Sequence, residues 1–256
     1  MVNSQIVHGL IFSAGLGTRL KPLTDTIPKA LLPMAGKTLL QWQVEKLRDA
    51  GITDIIVNVH HFPDMIIDTI RANEGWGCNI TVSDERDVLL ETGGGLRKAK
   101  ALLPSSVTGN PSPILACNVD ILSNIDIKDL VRAYEQTGVS QLVVSERQTQ
   151  RYLCFDEEGR LQGWTNIATG EVRPSSIHHS IIPSLRKLAF SGMQILNADV
   201  LRRLDEMTED KFSLIAFYLH ILSDTPLMAY VPKDYRMMDV GKIDQLAEAE
   251  RFAESL

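Results

Sequence analysis

Between Ser13 and Leu31 the chain concentrates groups suited to the chemistry of polyanions. The string Ser13-Ala14-Gly15-Leu16-Gly17-Thr18-Arg19-Leu20-Lys21-Pro22-Leu23-Thr24 is followed closely by Pro28-Lys29-Ala30-Leu31. Gly15 and Gly17, flanked by Ala14 and Thr18, let backbone N–H groups come close to phosphate oxygens. Arg19, Lys21 and Lys29 add cationic side chains, and an arginine can grip two phosphate oxygens at once. Two familiar phosphate loops are excluded. No Gly-x-x-x-x-Gly-Lys-Ser/Thr string occurs, and Leu20 stands where a dinucleotide fingerprint needs its third glycine. A second glycine-rich stretch, Leu90-Glu91-Thr92-Gly93-Gly94-Gly95, precedes Arg97, Lys98 and Lys100. Three glycines allow the backbone to lie against a flat ring, and the amides and Thr92 hydroxyl there could read the edge of a base.

Two carboxylates complete the set. Asp120 in Asn118-Val119-Asp120 and Asp239 in Asp239-Val240-Gly241 each follow an apolar segment. Either alone reads equally as a turn cap. Together they suit Mg²⁺, which takes one or two carboxylates and leaves its other positions to substrate phosphates and water. Transfer between polyphosphates needs such an ion to offset charge. The pairs His60-His61 and His178-His179 lack a His-Glu-x-x-His context and read as loop histidines, with a substrate contact left open for the first pair.

The elements that must hold these groups follow from hydropathy and punctuation. Apolar runs predict strands at 6–12, 54–59, 79–83, 113–117, 139–145, 189–196 and 226–231. Helices are expected at 38–51, with Thr38 and Gln41 as a capping box and Gly51 past its end, and at 64–72. Further helices are expected at 95–103 (stopped by Pro104), from Asp126 to 137, and at 198–205, 213–222 and 243–254. Glycines at 159, 163 and 170 suggest hairpins over 151–174. Strands alternating with helices imply an α/β fold, a mostly parallel sheet flanked by helices, with ligands at the carboxyl ends of strands.

The 256 residues carry a net charge of −6, with 44% hydrophobic and 23% charged residues, a globular balance that argues against a nucleic-acid partner. Cys78, Cys117 and Cys154 are too few and too scattered for a disulfide framework, so a reduced, cytoplasmic setting is expected. No apolar run is long enough to span a membrane and no signal peptide is evident. A single domain over 1–256 is expected, with 6–145 as a nucleotide half and 146–256 as a sugar half, and with no obligate protein partner.

The segments 15–24 and 28–31 resemble the signature of the sugar-1-phosphate nucleotidyltransferases, Gly-x-Gly-x-Arg-hydrophobic-x-Pro-Leu-Thr and Pro-Lys-Pro-Leu, with Ala30 in place of the second proline. The resemblance implies a Rossmann-like, nucleotide-diphospho-sugar transferase (GT-A-like) fold with inserted hairpins. It also implies the reaction of an NTP with a sugar 1-phosphate to give NDP-sugar and pyrophosphate, with Mg²⁺. Ala14, Gly15, Gly17 and Thr18 would then hold the NTP phosphates. Arg19 and Lys29 would steady the reacting groups, and Glu91, Thr92 and Gly93 would contact the nucleoside. Asp120 and Asp239 match the family's metal acids, although Val119 replaces a glycine and Lys242-Ile243 replaces Thr-Pro. On the sugar side, Phe190-Ser191-Gly192 resembles the family's Phe-Thr-Gly strand. Asn118, Ser191 and Gly192 are the matching contacts, and Trp164 and Asn166 are candidates where the usual Glu-Lys-Pro is missing. The Glu-Thr-Gly-Gly-Gly form is most similar to N-acetylmuramate-1-phosphate uridylyltransferases, which implies UTP, N-acetylmuramate 1-phosphate and cell-wall sugar recycling. The chain's end soon after Asp239 suggests one activity. Three other readings stay open: mannose-1-phosphate guanylyl transfer, a non-catalytic nucleotide-sugar-binding regulator, and a nicotinamide-dependent dehydrogenase.

Overall fold

The computed structural model describes residues 7–103, 111–176 and 182–256. The first described element is β1 (His8–Phe12), every residue of which is buried. A short ribbon of β2 (Pro33–Met34) and β3 (Lys37–Thr38) leads into α1 (Leu39–Asp49). Then come β4 (Asp54–Val59), α2 (Pro63–Ala72), β5 (Asn79–Asp84), α3 (Glu91–Lys100) and β6 (Ile114–Asn118). The chain continues through β7 (Ile121–Ser123), α4 (Ile127–Thr137) and β8 (Ser140–Ser145). It then forms β9 (Arg151–Phe155), β10 (Leu161–Asn166), β11 (Glu171–Arg173) and the long β12 (Arg186–Leu196). Last come α5 (Ala198–Arg203), α6 (Leu214–Ile221), β13 (Leu227–Tyr230), β14 (Met237–Asp239) and α7 (Leu246–Glu254).

One sheet runs β11-β10-β9-β12-β6-β1-β4-β5, with β8 and β13 branching from β12. The run β6-β1-β4-β5 is parallel, and β12 joins β6 antiparallel. Residues of the parallel strands alternate between two cores. Ile11, Ile55, Val57 and Leu115 face α1, α2, α4 and α7, whereas Leu10, Phe12, Ile56 and Ala116 face α3, α5 and α6. A sheet covered on both faces must be apolar on both, which is why these strands read as continuous hydrophobic runs.

Local signals account for several boundaries. Thr38 Oγ1 accepts from Gln41 N at 3.1 Å and starts α1, but the Gln41 amide runs forward to Glu45 rather than back, so only half of the expected capping box forms. Asp126 caps α4 by accepting from Lys128 N at 2.8 Å. The expected helix at 95–103 begins four residues earlier, at Glu91, which places the three glycines inside its first turns. Its expected stop at Pro104 lies outside the described residues.

Two irregular features shape the site. In β12, residues 193–196 pair with β6 and 186–188 with β9, and the register on β8 shifts between Phe190 and Gln194. Gly192, at φ +69°, makes that bend. β14 pairs antiparallel with β7, setting Asp239 opposite Ile121, and Val240 N donates to Asp120 O at 2.9 Å. Among the described residues no helix is long and apolar enough to cross a membrane.

Candidate active site

A cavity of about 440 Å³ opens where β1, β4 and β6 end. Ala14, Gly15, Gly17, Thr18, Arg19, Lys29, Glu91, Thr92, Asn118 and Asp120, all singled out in the sequence, line it. The loop after β1 turns at Gly17, φ +62°, where a Cβ would sit 2.7 Å from Thr24 Cγ2. Thr24 Oγ1 donates to Gly17 O at 2.9 Å, and Leu20 N donates to the same carbonyl at 2.8 Å. Gly15 differs: a Cβ there would meet nothing within 4 Å and would project into open space.

The charged centre lies at one end of this loop. Lys29, only 8% exposed, pairs its ammonium with the Asp120 carboxylate. Asp239 comes alongside through the β7–β14 ribbon, and Gly241 packs between the Asp239 carboxylate and the Arg19 guanidinium. Burial, and then the negative charge of Asp120, hold the Asp239 carboxyl above its ordinary range, against the pull of Lys29, Arg19 and Arg147. Two carboxylates close enough to repel offer a hard, oxygen-only donor set, which fits Mg²⁺ better than a softer metal. Among the described residues no group of three or more His, Cys, Asp or Glu gathers to hold an ion. An ion at Asp120 and Asp239 would therefore draw its other ligands from substrate oxygens and water.

Several expected residues lie away from the cavity lining. Gly93 does not line the cavity. Its N–H donates to Phe212 O at 2.8 Å, and a Cβ there would lie 2.3 Å from the Phe212 ring. A Cβ on Gly94 would lie 2.2 Å from Asp210 O. These glycines thus admit the 210–212 segment, with the Phe212 ring, against α3, and of the Leu90–Gly95 stretch only Glu91 and Thr92 line the cavity. The Thr92 hydroxyl accepts from Leu214 N at 3.0 Å. Arg97 holds the same segment through Met207 O and Asp210, and Lys100 pairs with Asp205. Trp164 and Asn166 are also elsewhere. Arg173 covers the Trp164 ring at 5.2 Å, and Asn166 Oδ1 accepts from Ala168 N at 3.1 Å, so both serve the β9–β11 hairpins. Gly192 does not line the cavity either, but it touches a residue that does: a Cβ there would be 2.8 Å from Asn118 Nδ2. Ser191 is buried next to it. A ring nitrogen of His60 bonds to Glu85 O at 2.7 Å and one of His61 to Thr24 O at 3.0 Å, so each histidine braces a different loop. His178-His179 lie outside the described residues.

Three neighbours of the site escaped the sequence reading. Asn58 lines the cavity from β4, bonded to the backbone that begins the loop after β1 and to Glu85. One signal could have found it: a lone amide inside the apolar run Ile55-Ile56-Val57-Asn58-Val59 must be hydrogen-bonded to be tolerated there. Arg147, just beyond β8, donates to Phe190 O at 3.1 Å and brings a cation toward Asp239 from the β12 side.

The family described as nucleotidyl transferase matches residues 8–255. The chain belongs to that family. Among relatives of this nucleotidyl transferase is an N-acetylmuramate alpha-1-phosphate uridylyltransferase from Caulobacter vibrioides, 42% identical over 113 residues, 43% of this chain and 44% of the relative. Another is mannose-1-phosphate guanyltransferase 2 from Candida glabrata, 34% identical over 142 residues, 55% of this chain and 38% of the relative. The matched stretch thus spans about half, or less, of the curated relatives. A solved UDP-glucose pyrophosphorylase complexed with UDP-glucose superposes at a TM-score of 0.75 with 20% identity, covering 98% of this chain and 99% of that one. At that identity the likeness shows the fold, the nucleotide-diphospho-sugar transferase fold expected from the sequence.

Proposed function

We propose that this nucleotidyl transferase joins an NTP to a sugar 1-phosphate, releasing pyrophosphate, with UTP and N-acetylmuramate 1-phosphate as its pair. The observation that carries the reading is the meeting of Arg19, Lys29, Asp120 and Asp239 beside an open phosphate loop. The acceptor phosphate oxygen attacks the α-phosphorus, forming one P–O bond as the bond to the departing pyrophosphate breaks. The attacking phosphate is already anionic, so the protein need supply no nucleophile or general base. Its work is alignment and charge complementarity. The backbone of Gly15–Thr18 binds the triphosphate, Arg19 balances charge growing on pyrophosphate, and Lys29 does so at the reacting phosphates. Asn118 and Gly192 border the acceptor side, with Arg147 held nearby by Phe190 O. Asp120 and Asp239 are the residues that would hold Mg²⁺, which supplies charge neutralisation for the phosphate oxygens when bound.

Support for the UTP pair comes from the Caulobacter relative and from Glu91-Thr92-Gly93-Gly94-Gly95. The test is pyrophosphate release across four NTPs and several sugar 1-phosphates, with Mg²⁺ or with EDTA. Release confined to UTP with N-acetylmuramate 1-phosphate, and abolished by EDTA, is the expected result. Release with GTP and mannose 1-phosphate would replace the substrates. No release with nucleotide sugars still bound would favour a regulator.

The two loop glycines give a paired prediction. Gly15→Ala is expected to change stability by less than about 0.5 kcal/mol, since its Cβ enters open space, but to weaken NTP binding because that space faces the cavity. Gly17→Ala is expected to cost about 1–2 kcal/mol, because a left-handed residue gains a Cβ. Thermal melts and equilibrium binding of UTP to both variants check this. Equal melting losses in the two would refute the distinction.

A further inference from the structure

Asn58 and Glu85 belong to none of the glycine-rich or acidic motifs, yet they connect the two walls of the nucleotide cavity. Asn58 Oδ1 accepts from Ser13 N at 2.7 Å and from Ala14 N at 3.3 Å, at the point where β1 becomes the phosphate loop. The Ser13 hydroxyl donates back to Asn58 O. Asn58 Nδ2 donates to Glu85 Oε1 at 2.7 Å, and Glu85 Oε2 accepts from Leu90 N at 3.3 Å, one residue before Glu91 and Thr92. Both side chains are buried, at 2% and 1% exposure. The donor order runs one way only, since the amide oxygen faces two N–H groups and the amide nitrogen faces a carboxylate. A Cβ on Gly95 would lie 2.9 Å from both Asn58 Nδ2 and Glu85 Oε1, so the third glycine of the Gly93–Gly95 run is what admits the pair.

We propose that Asn58 and Glu85 form a positioning pair, setting the separation between the phosphate loop and the start of α3 and, through it, the affinity for the nucleotide. The inference rests on the reading that the cavity binds an NTP. A ligand spanning the cavity touches Gly15 and Gly17 at one end and Glu91 and Thr92 at the other. The Ser13–Asn58–Glu85–Leu90 chain of bonds is a direct strut between those ends. The buried carboxylate is costly to keep. Burial pushes the Glu85 carboxyl up, only partly opposed by the Asn58 and Leu90 hydrogen bonds and the charges of Lys98 and His60. A buried charge of this kind is poor value as a stabilising device. Its retention is accounted for by the geometry that it imposes.

The test uses the full chain and reverses the donor order. Asn58→Asp keeps the acceptor for Ser13 and Ala14 but sets two carboxylates face to face. Glu85→Gln keeps an acceptor for Asn58 but turns an amide NH₂ toward the Leu90 N–H. In the double variant the Gln amide donates to Asp and its oxygen accepts from Leu90, so every bond has a partner again. Each single variant is expected to raise the KM and Kd for UTP roughly tenfold, the worth of one or two misdirected buried hydrogen bonds, with the KM for the sugar 1-phosphate unchanged. The double variant is expected to recover to within about threefold of the parent, a coupling that a double-mutant cycle isolates. A strut that served stability alone would lower the melting temperature and leave both KM values in place. A double variant that melts like the parent but keeps a tenfold higher KM for UTP would overturn the proposal, and this outcome is readable even if a single variant fails to fold. Parent and variants binding UTP equally would also overturn it. Parent protein that binds no NTP would overturn the NTP reading itself.

Discussion

Asp120→Asn is expected to lower turnover roughly 10³-fold, the scale of removing a principal group that stabilises transferring phosphate charge. The change keeps the shape of the side chain, removes its charge and turns one of its two acceptor oxygens into an NH₂ donor. Two consequences for stability oppose each other. Lys29, nearly buried, loses its ion partner, which costs free energy. Asp239 loses the neighbour whose charge, after burial, does most to raise its carboxyl, which is a gain. Lys29 can then turn its field on Asp239, already among the groups that it acts upon. The net change is expected within about 1 kcal/mol, or roughly 2–4 °C in a chain of this size. Pyrophosphate release measured beside a thermal melt separates the two effects. A variant that turns over at the parent rate would remove Asp120 from any metal or catalytic role.

The second large effect is on folding. Gly93→Ala and Gly94→Ala are each expected to destabilise the protein by about 3 kcal/mol, at the upper end of overpacking costs. In a chain of this length that is roughly 6–12 °C. At Gly94 the new Cβ would meet a backbone oxygen, Asp210 O, at 2.2 Å, and a carbonyl cannot swing aside as a flexible side chain can. At Gly93 it would meet the Phe212 ring at 2.3 Å and Phe212 O at 2.8 Å, in a position where that carbonyl also accepts from Gly93 and Gly94 N–H. Relief would need the 210–212 segment to withdraw, breaking these bonds and the Arg97 anchor. Urea melts of both variants, with Gly15→Ala as the control, measure the loss. A Gly93→Ala protein of parental stability that binds UTP poorly would overturn the packing account.

These two results bear on different kinds of legibility. Asp120 could be noticed from sequence because a carboxylate after a buried strand is a local pattern, though alone it reads as a turn cap and only Asp239 beside it suggests more. Gly93 could be noticed but not interpreted. Glycine announces that something comes close without saying what, and the partner, Phe212, is more than a hundred residues away in the chain. That Trp164 and Asn166 lie away from the cavity was not legible for a related reason: an aromatic and an amide in a hairpin carry no information about which way the hairpin faces.

The strands around the site were legible because a sheet covered on both faces demands uninterrupted apolar runs, and helix starts were legible where a side chain such as Thr38 or Asp126 caps its own neighbours. Those forces act within a few residues. The glycines and charges of the loop after β1 were equally plain, because Gly15, Gly17, Arg19 and Lys29 lie close together in the chain. The tertiary structure decided the rest. It laid β14 along β7 so that Asp239 reaches Asp120, bent β12 at Gly192 so that the second half of the sheet touches Asn118, and bonded Asn58 to Glu85 beside the cavity. Each of these depends on a pairing between segments distant in sequence. The free energy of such a pairing comes from backbone hydrogen bonds and shared burial, which any strand of similar composition could supply, so the choice of partner is settled only when the whole sheet assembles.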